Sequence, residues 1–176
     1  MGRRGPRSSD GDAAGVAIRP LRADEWQALR EIRLRALVDA PDAFGGTYED
    51  AAADPADAWQ ARTAREGTIL LVAERAGRLV GMASGGRAPT EDPMAELHAM
   101  WVEPAERGTG LAAAMVEEVV GWARSAGYPA IGLGVTTTNA RAIALYARLG
   151  FTDLGLRMPL REGSEHVIQV MTRRLD

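Results

Sequence analysis

The sequence predicts one α/β domain in which strands alternate with helices. Apolar residues recur at every second position in several short segments and at helical spacing in longer ones. A glycine turn at residues 107–112 joins a predicted strand directly to a predicted helix. The chain has 176 residues, of which 46% are hydrophobic and 26% charged, so it is long enough to bury a core and favours a single domain.

The N-terminal residues 1–15 are rich in Gly, Ser, Arg and Asp and lack apolar periodicity. This composition predicts a disordered tail, followed by one domain at residues 16–176. The domain begins with a short strand at residues 16–20, which Pro20 ends.

Two helices are predicted next. The first runs from about Asp24, with apolar residues at near-helical spacing, and Pro41 breaks it. Residues 42–50 are interpreted as a loop. The second helix covers residues 54–65, with Asp54 as its cap.

Three strands follow the helices. Residues 68–74 form a nearly continuous apolar run, which predicts a strand buried on both faces. A turn leads to a strand at residues 79–84, and after a loop residues 95–102 form a fourth strand.

The C-terminal half alternates helix and strand. The helix after the glycine turn has an apolar stripe and ends near Gly127. In the strand at residues 130–136, Gly132 and Gly134 predict that a backbone or a ligand approaches one face closely. Asn139 then caps a helix that extends to Leu149.

Two more strands complete the chain. One starts at Phe151, after Gly150 ends the preceding helix, and the other covers about residues 166–173.

Composition excludes several functional classes. The chain has no cysteine, which excludes disulfides, thiolate metal sites and a cysteine nucleophile, and its two histidines are too few to predict a zinc site. A net charge of −3 argues against nucleic-acid binding. No apolar run reaches the ~20 residues of a membrane helix. No secretory signal is recognised either, so a cytoplasmic location is expected.

The glycine turn predicts an anion site. Amide groups at the start of a helix point at one spot, and the helix dipole adds positive potential there. Gly108 and Gly110 allow a phosphate to approach the backbone, and Arg107 offers a charged donor. A tight turn without a ligand explains the turn alone equally well.

The same turn also fits the dinucleotide fingerprint G-x-G-x-x-G/A, which is weak by itself. That interpretation requires an acidic residue about 20 positions later. The sequence has no Asp or Glu between Glu118 and Asp153, and a Rossmann reductase is therefore the less favoured alternative.

Two motifs resemble the GNAT superfamily of acetyl-CoA-dependent N-acetyltransferases. Residues 107–112 match its R/Q-x-x-G-x-G/A phosphate motif. The second segment, N-x-x-A-x-x-L-Y-x-x-x-G-F, is matched in order and spacing by Asn139, Ala142, Leu145, Tyr146, Gly150 and Phe151. The resemblance implies a mixed, twisted seven-stranded sheet, splayed between its fourth and fifth strands and flanked by about four helices.

The resemblance also implies acetyl-CoA as acyl donor, held in the splayed gap without a metal. The residues expected to bind it are Met100, Trp101, Val102, Arg107, Gly108, Thr109, Gly110, Leu111, Ala112, Asn139, Ala142 and Tyr146.

Catalysis by direct transfer to a primary amine requires an acid, a base and an amide donor for the carbonyl oxygen. The resemblance assigns the acid to Tyr146 and the amide to the backbone near Met100. Glu96, eleven residues before Arg107, matches the catalytic glutamate of the histone-acetylating branch. His98 shares its strand face and is an alternative base, and a water relay is a third possibility.

For the acceptor, the resemblance indicates the loop between the first two helices. Phe44 and Tyr48, with Glu96, are the predicted substrate-binding residues, and the carboxylates of that loop add negative charge for an amine. Transfer of a longer acyl group, or a non-catalytic acyl-CoA sensor with the same fold, are the competing interpretations. The protein is expected to be a monomer or a homodimer.

Overall fold

The computed structural model describes residues 15–176. The tail predicted for residues 1–15 lies outside this range except for Gly15. The strands are β1 Val16–Pro20, β2 Ile69–Arg75, β3 Arg78–Arg87, β4 Ala95–Val102, β5 Ala130–Thr136, β6 Thr152–Pro159 and β7 Val167–Arg174. The helices are α1 Trp26–Asp39, α2 Tyr48–Ala53, α3 Ala56–Thr63, α4 Leu111–Ser125 and α5 Ala140–Arg148.

All seven strands form one sheet, in the order β1-β2-β3-β4-β5-β7-β6. Neighbouring strands run antiparallel, except β4 and β5, which are parallel. The predicted mixed seven-stranded sheet is therefore confirmed.

The sheet splays open between β4 and β5. These strands pair only through Ala95 with Ile131 and Glu96 with Gly132. Beyond Glu96 the two strands diverge. The N–H and C=O groups on their facing edges therefore border a gap and do not hydrogen-bond to each other. The predicted splay is confirmed.

Helix α4 packs closely on the face of the sheet formed by β3 and β4. Its fully buried residues Met115 and Val119 belong to the main hydrophobic core. A Cβ placed on Gly85 of β3 would lie 2.7 Å from Cγ1 of Val119 and 2.9 Å from the ring of Trp122. Gly85 thus lets the helix approach the strand more closely than any other residue would allow.

Helices α1 and α3 cover the opposite face. Ile32 and Leu37 of α1 pack with Trp101 of β4 and Phe44, and Trp59 of α3 packs with Leu29. The face of β4 that carries Trp101 therefore lies beneath α1 and the residues that follow it.

The prediction of a loop over residues 42–50 is wrong at its C-terminal end, because α2 begins at Tyr48. The hydroxyl of Thr47 accepts a hydrogen bond from the amide of Asp50 at 3.2 Å and caps this six-residue helix. The predicted cap Asp54 instead ends α2, and its carboxylate pairs with Arg62 of α3 at 2.5 Å. The residue preceding α3 is Pro55, so the cap prediction for Asp54 is also wrong.

Gly132 and Gly134 do not face an approaching backbone. A Cβ on Gly132 would lie 3.1 Å from Cε of Met94, and one on Gly134 would lie 2.8 Å from Cδ1 of Ile168. The predicted close approach is thus made by the half-buried side chains of Met94 and Ile168, and Gly134 also lines the cavity between β4 and β5.

Candidate active site

A cavity of about 510 Å³ lies in the gap between β4 and β5. One wall is the β4 segment 97–102, and the other is the β5 segment 133–136. The cavity also reaches the glycine turn, helix α5 and the residues after α1. Of the predicted site residues, it brings together Phe44, His98, Met100, Trp101, Val102, Arg107, Gly108, Gly110, Ala112, Asn139, Ala142 and Tyr146.

Strand β4 contains a bulge where it lines the cavity. Met82 of β3 pairs with Trp101 and Ser84 pairs with His98, so Ala83 faces both Ala99 and Met100. Ala99 has a φ of 54°, in the left-handed region that residues with a Cβ rarely adopt. A bulge leaves one residue outside the ladder, and it therefore places an extra backbone amide beside the cavity.

The glycine turn has the backbone geometry of an anion site. Gly108 and Gly110 have φ values of 85° and 91°, which favour glycine, and Gly110 is the N-cap residue immediately before α4. No protein acceptor among the described residues receives a hydrogen bond from the amides of Gly108, Thr109, Gly110, Ala112 and Ala113. These amides, at the positive end of the helix dipole, are available to an anion.

The Arg107 side chain is engaged by the protein rather than extended into the turn. Its Nε donates to the carbonyl of Val102 at 2.9 Å, and its guanidinium pairs with the carboxylate of Asp39. Asp39 also accepts a hydrogen bond from the indole of Trp101 at 2.8 Å. The Arg107 amide donates to the carbonyl of Pro104 at 3.2 Å, so it is not among the amides available to an anion.

Tyr146 lies on α5 and is buried at the cavity wall. Its ring meets Phe151 edge-on, with centroids 5.9 Å apart. Burial raises the pKa of the Tyr146 phenol to about 12, because the charged phenolate is poorly solvated there. The hydroxyl is therefore protonated at neutral pH and can donate a proton.

His98 and Glu96 lie on the same face of β4, but only His98 lines the cavity. The His98 side chain is accessible to solvent on β4, and the partial desolvation of its imidazole lowers the pKa. The charges of Arg33 and Arg65 act in the same direction, while the charge of Glu96 opposes them. His98 is thus neutral and able to accept a proton near pH 7. Glu96 is the last residue of β4 that pairs with β5, at the closed end of the gap.

The residues predicted to hold the acceptor are separated by the fold. Phe44 lines the cavity, whereas Tyr48 is 42% exposed at the start of α2 and is not part of the lining. The Phe44 ring already faces a cation, since the guanidinium carbon of Arg33 lies 4.4 Å from its centroid. Arg161, from the segment between β6 and β7, donates to the Phe44 carbonyl at 3.1 Å and tethers this loop.

The sequence profile of the Acetyltransferase (GNAT) family matches residues 26–151. The chain belongs to the GNAT family. The matched range includes α1, the bulged strand, the glycine turn and α5, so all the elements around the cavity lie within the family match.

A mycothiol acetyltransferase of Thermomonospora curvata is 35% identical to the GNAT chain over 140 residues. The alignment covers 78% of the chain but 44% of that relative. The chain thus spans less than half the length of this curated relative, and a second mycothiol acetyltransferase, from Thermobispora bispora, is covered over 47% of its length.

Two solved structures share the fold over nearly the whole chain. The structure of yncA from Salmonella typhimurium with its cofactor acetyl-CoA has a TM-score of 0.75 and 26% identity, covering 92% of this chain and 95% of that one. The ribosomal-protein-alanine N-acetyltransferase of Brucella melitensis has a TM-score of 0.74 and 28% identity, covering 90% and 99%.

Two arginines that line the GNAT cavity, Arg141 and Arg148, are absent from the predicted set of site residues. The Nη2 atom of Arg141 lies 3.6 Å from the point where a Cβ on Gly108 would be. A cation in the first turn of a helix is disfavoured by the helix dipole. Arg141 lies in the first turn of α5, two residues after the cap Asn139. A cation at this unfavourable position could have indicated from the sequence that an anion binds nearby.

Within residues 15–176, no helix is both long enough and apolar enough to cross a membrane. The same part of the chain contains no group of three or more His, Cys, Asp or Glu side chains arranged for a metal ion.

Proposed function

We propose that this GNAT protein is an N-acyltransferase that moves the acetyl group of acetyl-CoA to a primary amine by direct attack in a ternary complex. The observation that carries the proposal is the cavity in the splayed sheet. It connects a turn of available amides, suited to a pyrophosphate, to a protonated phenol and a neutral imidazole.

Acetyl-CoA would be held along this cavity. Its phosphates would accept hydrogen bonds from the free amides of Gly108, Thr109, Gly110 and Ala112, while Arg141 adds positive charge. Its extended arm would follow the unpaired edge of β4 at residues 100–102, with Asn139, Ala142, Tyr146 and Leu111 contributing contacts from the helices.

The reaction requires a proton to be removed and another to be supplied. An alkyl ammonium with a pKa of ~10 must be deprotonated before attack, and His98, Glu96 or a water between them accepts that proton. The amine nitrogen then bonds to the thioester carbon, whose oxygen is stabilised by an amide of the bulge at Ala99 and Met100. The carbon–sulfur bond breaks and Tyr146 protonates the departing thiolate. The nitrogen, still cationic after the attack, gives up its second proton, which returns to the Tyr146 oxygen directly or through water and leaves a neutral amide.

A non-catalytic acyl-CoA sensor with this fold is the alternative. A sensor would not require a protonated Tyr146 or a neutral His98 in the cavity lining, so these two residues favour the enzyme. Transfer of an acyl group longer than acetyl is the alternative within the enzyme class.

The test measures thiol release from acetyl-CoA with and without a panel of primary amines, and identifies the acetylated amine by mass spectrometry. We expect thiol release to depend on the amine and to match the amount of acetylated product. Tight acetyl-CoA binding without amine-dependent release would establish the sensor instead. Repeating the assay with propionyl-CoA distinguishes acetyl from longer acyl donors.

We further propose that residues 16–176 act as one domain in the cytoplasm, as a monomer or a homodimer. Sedimentation of the purified chain over a range of concentrations would determine the oligomeric state.

A further inference from the structure

Arg33 of α1 is a half-buried arginine that forms no ion pair with any residue of the described range 15–176. Its Nη1 atom is buried and has no hydrogen-bond partner among residues 15–176. The charge of Arg62, on α3, adds repulsion. Burial, followed by this repulsion, lowers the pKa of Arg33 to about 10, so the side chain remains cationic at neutral pH.

Arg33 lies beside the acceptor half of the candidate site. Its guanidinium stacks on Phe44, 4.4 Å from the ring centroid, and Phe44 lines the cavity. A Cβ on Gly46 would lie 3.8 Å from its Nη2. The charge of Arg33 also acts on the imidazole of His98. The guanidinium therefore lies against the loop after α1 and within electrostatic range of a candidate base on β4.

Three carboxylates of the neighbouring loop, those of Asp39, Asp42 and Asp50, are bound to other residues. Asp39 pairs with Arg107 and Trp101. Asp42 contacts Nε2 of His166 at 3.1 Å, and Asp50 accepts the hydroxyl proton of Thr47 at 2.8 Å. The acidic loop predicted to attract an amine thus has these three carboxylates in use, and none of them neutralises Arg33.

A buried cation without a partner is costly, because its desolvation is not offset by an opposite charge. A planar guanidinium is well suited to bind a carboxylate through two parallel hydrogen bonds. Glu96, on the neighbouring strand, provides the negative charge that an ammonium requires. Arg33 and Glu96 thus place one charge of each sign within electrostatic range of His98, which lines the cavity.

We propose that the acceptor is an amino carboxylate, such as an amino acid, whose carboxylate is bound by Arg33 while its amine faces Glu96 and His98. This inference rests on the proposed function and specifies its substrate class. Arg33 is then a specificity-determining residue, which recognises a group that does not react.

The experiment compares kcat/KM for L-amino acids with that for the corresponding carboxamides, which keep the amine and lose the negative charge. The wild type should prefer the carboxylates by about 10- to 100-fold, the amount expected for charged hydrogen bonds. Arg33→Gln should reduce this preference to about twofold or less, and Arg33→Lys, which keeps the charge without the planar fork, should retain part of it.

Arg62→Gln is the matched control. Arg62 also stacks on an aromatic ring, 4.4 Å from the centroid of Trp59, but its charge is paired with Asp54. This variant should keep the preference for carboxylates. Equal rates with carboxylates and carboxamides in the wild type, or a preference that survives in Arg33→Gln, would overturn the inference.

A binding measurement separates this inference from the proposed function. N-acetylglycine and N-acetylglycinamide are titrated into the protein in the presence of CoA, which requires no turnover. Binding of N-acetylglycine alone, lost in Arg33→Gln, supports the anion site even if no amine is acetylated. Acetylation of amines without any such discrimination leaves the proposed function intact and overturns the role of Arg33.

Discussion

Tyr146 provides the most direct test of the chemistry at the scale of single residues. Its phenol has a pKa of about 12, so it remains an acid across the working pH range. We expect Tyr146→Phe to lower kcat by at least about tenfold, because general acids commonly contribute 100-fold or more. The affinity for acetyl-CoA should be nearly unchanged, since the ring and its contact with Phe151 are kept.

Tyr128→Phe is the control for the loss of a phenol. The Tyr128 ring packs on Trp122, with centroids 5.8 Å apart, and lies outside the cavity lining. This variant should have wild-type kcat. A Tyr146→Phe enzyme of undiminished kcat, with the chemical step shown to limit turnover, would remove Tyr146 from the mechanism.

His98 provides a prediction for stability as a function of pH. Partial desolvation lowers its folded-state pKa below the ~6.5 of an unfolded chain, so the unfolded state binds more protons between the two values. The stabilisation is complete above pH ~6.5 and is lost as the pH falls through the folded pKa. Urea unfolding between pH 5 and 8 should therefore show a smaller decrease in unfolding free energy on acidification for His98→Gln than for the wild type. If the unfolding free energies of the wild type and His98→Gln decrease equally on acidification, the folded structure does not lower the pKa of His98.

Local chemistry explains which site residues could be predicted. Gly108, Gly110 and Asn139 act through their own backbone or the adjacent helix end, and the sequence predicts those features directly. The side-chain partner of Arg107 is Asp39, 68 positions away, and the stacking of Arg33 on Phe44 depends on how α1 packs. Such pairings arise only from tertiary structure, and periodicity carries no information about them.

At the scale of elements, the contact of α4 with β3 predicts opposite effects for two glycine substitutions. Gly85→Ala should lower the free energy of unfolding by about 1–3 kcal/mol, because its Cβ would overlap Val119 and Trp122, which have little freedom to move. Gly121→Ala, within α4, should raise it by about 0.4–1 kcal/mol, since a Cβ there meets no atom within 4 Å and alanine favours the helix. Chemical denaturation of both variants tests this. Equal effects would contradict the close packing of the helix on Gly85.

Strong periodicity also explains which elements could be predicted. The bounds of β1, β4 and β5 agree with the prediction because each has clear strand spacing and flanking breakers. Helix α2 has only six residues and no apolar stripe, so it resembles a loop. The sequence did contain a local signal, since Thr47 precedes Asp50 by three positions in a capping arrangement.

At the scale of the whole molecule, the splay of the sheet is the feature on which the proposed function depends. The two pairs that join β4 to β5 hold the strands at one end, and the bulge at Ala99 redirects β4 just beyond them. Strand order is a long-range property, and only the family resemblance predicts it. In the proposed function the donor would enter between the strands and the acceptor would bind on the face covered by α1, so both halves of the reaction would meet at His98.

Ligand-dependent stability tests the whole arrangement at once. Acetyl-CoA at 100 times its Kd should add ~2.7 kcal/mol, which in a chain of this size raises Tm by roughly 5–10 °C. NADH and ATP should produce no comparable shift. Gly110→Asp should abolish the acetyl-CoA shift, because it adds a negative charge among the amides that receive the phosphates.

Gly77→Asp separates this charge effect from backbone strain. Gly77, in the β2–β3 turn, has a φ of 78° and an open surrounding, as does Gly110, with a φ of 91°. The two variants thus introduce the same side chain at similar backbone angles, but only position 110 adjoins the cavity. Retention of the shift in Gly77→Asp and its loss in Gly110→Asp assign the turn to the phosphates. A shift that persists in Gly110→Asp would mean that the cofactor binds elsewhere and that the turn only connects β4 to α4.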